Sequence, residues 1–274
     1  MILRRQIFRL SRLSVFFGIL LYGAENLKTY KIEGVILRTV DFGDANRVVT
    51  IYTRDFGKIE VNAYGCRRAK NPLSGALQMF NLISAEISGG AKVDSIKEAD
   101  IIKFYGNLTA DLEKMAYASL FFEIVNRMTL PKFPEGGVYD LILKTLPALD
   151  ERNAKVAALI GICQFMEFSG VQLNFFHCVH CGEEIKSDAA LSLTEGGALC
   201  KNCYTLAQDF FSYPKNLQQA FQKILSFDWR EHLNFNLKEI NAAEKIILKY
   251  VQSIIGKELN AVKFIRQLES LQKN

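Results

Sequence analysis

The chain has 274 residues, 49% of them hydrophobic, with only five prolines, and a formal net charge of +5. This content excludes a disordered or collagen-like chain and suffices for one large or two modest domains. With 34 basic against 29 acidic side chains the surplus is far below a histone-like extreme, so charge admits nucleic acid or an acidic protein as partner without requiring either.

The first 27 residues, MILRRQIFRLSRLSVFFGILLYGAENL, place Arg4, Arg5, Arg9 and Arg12 ahead of an apolar run from Leu13 to Leu21. The shape mimics a signal peptide, but the run is shorter than the ~20 apolar residues that span a bilayer. A targeting or surface-binding segment is one reading. The other, which we expect, is an extension outside the fold, 1–27, translated from an upstream start, on a cytoplasmic protein with no membrane association. The cysteines further along favour the second, because an exported protein would pair them as disulfides.

From Lys28 to about Ser88 the pattern is strand-like. Val48 to Thr53 (VVTIYT) is β-branched and aromatic, Lys58 to Ala63 (KIEVNA) alternates, and Ile83, Ala85 and Ile87 alternate with Ser84, Glu86 and Ser88. Asp41-Phe42-Gly43-Asp44, Asp55-Phe56-Gly57 and Gly89-Gly90 punctuate them as turns. Short strands at this spacing predict a small β-barrel of OB or related type over 28–105. The two D-F-G triplets are hairpin turns rather than kinase motifs, since neither a glycine-rich loop nor H-R-D accompanies them. No G-x-x-x-x-G-K-[ST] loop occurs, so nucleotide hydrolysis has no support.

The barrel segment carries a basic stretch, GCRRAKNPLSGALQMF, with no acid from Asn62 through Asn81. Arg67, Arg68 and Lys70 lie in it, and Arg38, Arg47, Arg54 and Lys58 lie nearby in sequence. Such cations suit a phosphodiester backbone, because each contact releases counterions, and Phe42, Tyr52 and Tyr64 would offer stacking surfaces to bases. A charged loop is more commonly a solvated loop, so composition leaves both readings open. Cys66, beside Arg67 and Arg68, is expected to be a buried neutral thiol.

After Tyr105 the period becomes helical. Leu112 to Met128, Val138 to Leu149 and Glu151 to Ser169 read as helices, the first ended by Pro131 and Pro134 and the last by Gly170. Cys163 falls on a helical pattern and is expected in the core. Asn216 to Phe227, Leu237 to Ile255 and Asn260 to Leu271 read as three more helices. The fold class is therefore α+β, an N-terminal barrel followed by an α-helical domain over 106–274.

That helical domain is interrupted at about 175–206 by two C-x-x-C pairs, Cys178/Cys181 and Cys200/Cys203, with eighteen residues between them. Two such knuckles aim four thiolates at one point, a spacing inside the zinc range. Four protein ligands leave no open position, so the expected zinc is structural rather than catalytic. Disulfides or a thioredoxin-like site are the rivals, and the βαβ pattern the latter needs is absent. His180, between its cysteines, is expected to point outward. With His177 and His232 it completes the chain's three histidines, and no Ser-His-Asp set or carboxylate pair can be argued from spacing. A binding protein is favoured over an enzyme.

These residues resemble a known family. YKIEGVILRTVDFGDANRVVTIYTRDFGKIEVNAYGCRRAKNPLSGALQMFN is similar to the opening of the bacterial RecO family of DNA repair proteins. The family's D-x-G-[DE]-x-[DN]-R-[LV]-V turn matches Asp41 to Val49, its G-K strand Gly57-Lys58, its G-x-R-R-x-K stretch Gly65 to Lys70, and its G-x-L-x-x-[FM] segment Gly75 to Phe80. Phe168 to Cys181 is similar to its helix-to-knuckle junction, departing from it at Gln172-Leu173, where the family has proline. The resemblance runs from Lys28 to about Leu268. It implies an OB-fold, then a helical domain with a four-cysteine zinc knuckle. It implies binding of single- and double-stranded DNA, annealing of complementary strands, and, with RecR, loading of RecA onto strands coated by single-strand-binding protein, none of it needing ATP. On this reading Arg38, Arg47, Lys58, Arg67, Arg68 and Lys70 bind DNA. Lys245, Lys249, Lys257, Lys263 and Arg266 extend the track or meet an acidic protein tail. The alternatives are a protein-interaction scaffold with incidental DNA binding, and a metalloenzyme.

Overall fold

A computed structural model describes residues 29–206, 209–232 and 234–271. The expectation for 1–27 lies outside the described residues. Five strands, β1 (Thr29–Phe42), β2 (Asn46–Thr53), β3 (Gly57–Ala63), β4 (Leu82–Ser88) and β5 (Asp94–Lys103), close into a barrel in the order β1-β2-β3-β5-β4. A one-turn helix, α1 (Leu73–Ala76), lies between β3 and β4. The expected OB-like barrel is present.

Alternation accounts for its core. Ile59, Val61 and Ala63 of β3 and Ile83, Ala85 and Ile87 of β4 point inward with Val49 and Ile51 of β2. β2 is buried on both faces from Val49 to Thr53, because its other face, through Tyr52, joins a second core shared with the helices. β1 serves both cores, with Ile36 in the barrel and Val35 and Leu37 against the helices, and its register shifts between Ile36 and Arg38. Gly34 permits this double packing, since a Cβ there would stand 2.6 Å from Ile51 Cγ2. The register of β5 was not legible in sequence. It is held by β4 along its length, but by β3 at only two pairs, Val61–Asp94 and Asn62–Ser95, and its outer half is exposed.

The helical domain comprises α2 (Gly106–Ala110), α3 (Leu112–Met128), α4 (Val138–Glu151), α5 (Ala154–Phe168), α6 (Lys215–Leu225), α7 (Leu237–Ile255) and α8 (Asn260–Leu271). Between Ala154 and Met166, α5 buries every residue except Lys155 and Gln164, as a central helix must, and it packs on α3, α4, α6 and α7. The helix expected from Glu151 begins instead at Ala154. Arg152 is extended, and the Asn153 side chain accepts the Val156 N–H as a cap. Asp111 and Asn236 cap α3 and α7 the same way. The three-stranded sheet β6 (Ala189–Ser192), β7 (Gly197–Leu199) and β8 (Phe211–Tyr213), in the order β7-β6-β8, carries the cysteine segment between α5 and α6. Its strands are too short for sequence periodicity to reveal. Among the described residues no helix is long and apolar enough to cross a membrane.

Candidate nucleic-acid interface and metal centre

Hairpin register decides which candidate cations meet solvent. Asp41 pairs with Arg47, Arg38 with Thr50, and Tyr52 with Lys58. Successive residues of a strand face opposite ways. Arg47 therefore shares the barrel-facing side of β2 with Val49, at the rim, while Thr50 and Tyr52 share the other side. At the rim the Arg47 guanidinium donates from Nε to Asp41 Oδ1 (2.8 Å) and from Nη1 to the Leu77 carbonyl (3.1 Å). Arg67 Nε approaches the second oxygen of the same carboxylate at 3.2 Å. The Arg47 hydrogen bond, with the nearby Arg67 charge, holds the Asp41 carboxyl below its usual range.

The loop between β3 and α1 is stitched onto the β1–β2 turn. Gly65 N–H donates to Asn46 Oδ1 (2.9 Å), Arg67 N–H to the Ala45 carbonyl (3.0 Å), and Asn71 Nδ2 to the Gly65 carbonyl (3.0 Å). Arg68 and Lys70 project from this loop, exposed and in no ion pair among the described residues. Lys70 holds φ at +69°, a conformation uncommon for lysine, so the loop has a defined shape. Tyr64, 59% exposed, stands edge-on to Phe42 with ring centroids 6.3 Å apart, an aromatic pair beside the cations. Cys66 is buried, and burial pushes its thiol upward, as expected of a neutral core residue.

Three expected site residues lie elsewhere. Lys58 turns toward the helical domain, where its Nζ donates to the Asn126 and Thr129 carbonyls at the end of α3, the latter at 2.7 Å. The half-buried ammonium caps a helix C-terminus, where the dipole and unpaired carbonyls favour a cation. Tyr52 is buried on the same face, its hydroxyl accepting the Glu135 N–H at 3.3 Å, and it offers no stacking surface. Arg38 is exposed but on the face away from the Arg47–Asp41 pair. We expect Lys58→Met to cost about 1.5–3 kcal/mol, the value of hydrogen bonds to a charged group, read as a lowered thermal midpoint. The salt dependence of DNA binding should stay unchanged, and a shallower dependence would return Lys58 to the interface.

The residue that sequence reasoning missed is Asp41. Its signal was available, since opposite charges flanking a hairpin turn tend to face one another across the strands. On the helical domain Lys245, Lys249, Lys257, Lys263 and Arg266 are exposed, but Lys263 and Arg266 both pair with Glu258, at 3.5 and 2.9 Å, and Lys249 lies 4.9 Å over the Phe211 ring.

The four knuckle cysteines converge as expected. Their Sγ atoms all lie within 4.8 Å of one another, and Cys181 and Cys200 are 3.8 Å apart. A tetrahedral ion with metal–sulfur bonds of about 2.3 Å separates its sulfurs by about 3.8 Å, whereas a disulfide brings them to about 2.05 Å. Tight turns build each knuckle, through Gly182 N–H to the Cys178 carbonyl (2.8 Å) and Cys203 N–H to the Cys200 carbonyl (2.9 Å). Burial would raise the Cys178 thiol, but backbone N–H groups of Cys181, Cys200 and His180 bring it down to about 6. Cys203 is pushed up to about 12, chiefly by its contact with Cys200. Four sulfurs converging at this spacing make a donor set that fits a structural metal. His180 faces Glu195, Nε2 to Oε2 3.3 Å, rather than the sulfurs. The module's own apolar cluster holds only Cys178, Ala190 and Leu199 as buried members, while Leu191, Leu193 and Ala198 join the main core.

Comparison with known proteins agrees with this architecture. The family model described as recombination protein O N terminal matches residues 27–105, and that described as recombination protein O C terminal matches 109–262. The DNA repair protein RecO of Bacillus subtilis (strain 168) is 30% identical over 246 residues, covering 88% of this chain and 95% of that protein. That of Bacillus pumilus (strain SAFR-032) is 28% identical over 250 residues, 89% of this chain and 96% of that protein. That of Symbiobacterium thermophilum is 25% identical over 248 residues, 88% and 98%.

Proposed function

Because the chain belongs to the recombination protein O family of DNA repair proteins, we propose that it is a non-enzymatic recombination mediator working in the cytoplasm. It binds single- and double-stranded DNA along the barrel rim. Arg67, Arg68 and Lys70 meet phosphates there, Arg47 sits behind them, and Tyr64 and Phe42 offer ring faces to unstacked bases. Neutralising phosphates lowers the repulsion between complementary strands, the physical requirement for annealing them. Loading of RecA with RecR, on strands coated by single-strand-binding protein, follows from the family resemblance. Cys178, Cys181, Cys200 and Cys203 hold a structural zinc, since a closed four-sulfur donor set suits that ion and leaves no position for substrate.

The observation that carries this reading is the acid-free loop of Arg67, Arg68 and Lys70, exposed and anchored by backbone and asparagine hydrogen bonds beside an aromatic pair. Fluorescence anisotropy with a labelled single-stranded oligonucleotide over a salt series tests it. Changing Arg67, Arg68 and Lys70 together to alanine should weaken binding roughly tenfold or more at low salt. The log–log salt slope should become shallower by about 2, three contacts at ~0.7 each. A weak, flat response from the unaltered protein would instead favour a scaffold that grips a protein through the same barrel.

A further inference from the structure

Two arginines at the barrel rim share one carboxylate, and they share it unequally. Arg47 is the fixture. Its side chain is 16% exposed and is held by both Asp41 (2.8 Å) and the Leu77 carbonyl (3.1 Å). Arg67 is the looser partner, 39% exposed, with Nε 3.2 Å from Asp41 and no second side-chain acceptor among the described residues. Asp41 itself is 45% exposed at the end of β1. A phosphate arriving at the rim meets three charges that sum to a single positive one. It must compete with the carboxylate for the Arg67 guanidinium.

We infer that Asp41 is an affinity-limiting positioning residue of the DNA site: it parks Arg67 beside Arg47 in the free protein and competes with the DNA backbone for it. The inference rests on the proposed DNA-binding role of this rim. Exposed ion pairs are weak, so the exchange from carboxylate to phosphate is readily reversible. The bound strand is then held less tightly than the count of cations implies. A protein that brings two strands together and then releases the product has use for such a limit.

Asp44 supplies the control. It lies in the same turn, is exposed and makes no ion pair among the described residues, so removing its charge changes the local field without freeing a guanidinium. Labelled oligonucleotide anisotropy is measured over a salt series for the unaltered protein, Asp41→Asn, Asp41→Glu, Asp44→Asn, and Arg67→Ala with and without Asp41→Asn. Thermal unfolding confirms that each variant is folded. Asp41→Asn should bind about three- to fivefold more tightly at moderate salt, with the slope altered by less than the ~0.7 of one phosphate contact, since Arg67 reaches a phosphate in both proteins. Asp41→Glu, which keeps the charge, should stay near the unaltered protein, and Asp44→Asn should gain less than twofold. Arg67→Ala should cost more in the Asp41→Asn background than alone, the coupling expected of groups in contact. Salt-dependent binding that Asp41→Asn leaves unchanged or weakens overturns the inference while leaving the DNA site in place. An equal gain from Asp44→Asn overturns it too, since general field strength would explain both. If Asp41→Asn fails to fold, a tighter Asp41→Glu or an Arg67→Ala without effect has the same force. An unaltered protein with no salt-dependent binding removes the DNA site and the inference together.

Discussion

Replacing Cys178 by serine should abolish metal binding and unfold the cysteine module. Purified protein should carry one metal per chain, identified as zinc by elemental analysis, and the serine variant should carry none. Structural zinc supplies about 10–16 kcal/mol of apparent binding free energy in small zinc folds, and this segment's own apolar cluster is small. Apart from the small cluster around Cys178, its contacts with the main core run through Phe175, Leu191, Leu193, Ala198 and Tyr213. Hydrogen exchange across residues 176–204 should lose protection on substitution or chelation, and the thermal midpoint should fall by roughly 10 °C or more, a loss of several kcal/mol in a chain of this size. The barrel, with its separate core, should retain its protection. His180→Ala should leave the metal content unchanged, because that imidazole faces Glu195. A Cys178→Ser protein that keeps its metal and its midpoint would show that the sulfur cluster is not the binding site.

Gly57→Ala should be nearly as damaging. Gly57 opens β3 at φ +63°, and a Cβ there would lie 2.2 Å from the Phe133 carbonyl oxygen, 2.4 Å from its carbon and 2.7 Å from Pro134 N. All three obstacles are backbone, so no side chain can swing aside. The segment they belong to is where the helical domain lies against the barrel edge, with Lys132 N–H donating to the Lys58 carbonyl at 2.7 Å and Pro131 bridged to Lys58. The chain must either separate there or distort a left-handed residue, at a cost of about 3 kcal/mol or more. Gly75→Ala is the matched control, since nothing lies within 4 Å of a Cβ at that position. Denaturant unfolding of both variants measures the difference. A Gly57→Ala loss below about 1 kcal/mol would mean that the barrel and the helical domain do not approach as closely as the structure shows.

Much of the architecture was written in local pattern. β3 and β4 alternate, the long helices repeat their apolar residues at helical spacing, and the two C-x-x-C pairs carry their ligand geometry in the spacing itself. β5 escaped because DSIKEADIIK does not alternate. Its first half follows barrel geometry, its second half runs out beyond β3, and the register shifts twice against β4. The start of α5 was misplaced because Glu151 and Arg152 suit a helix as well as they suit the end of the preceding one, and only the Asn153 cap marks the break.

The candidate site shows where local pattern stops. Two lysines and five arginines in one basic strand-rich segment look alike in sequence. Pairing of β2 with β3 puts Lys58 and Tyr52 on one face, and the helical domain covers that face. Pairing of β1 with β2 sends Arg38 away from the rim and sets Asp41 against Arg47. Periodicity and ligand spacing are properties of contiguous chain, dictated by backbone geometry within a few residues, so the amino-acid order alone determined the alternating strands, the long helices and the cysteine knuckles. Which cation reaches solvent depends on strand register and on what packs over each face. Those are settled by contacts between residues tens of positions apart, and only the tertiary structure could decide them.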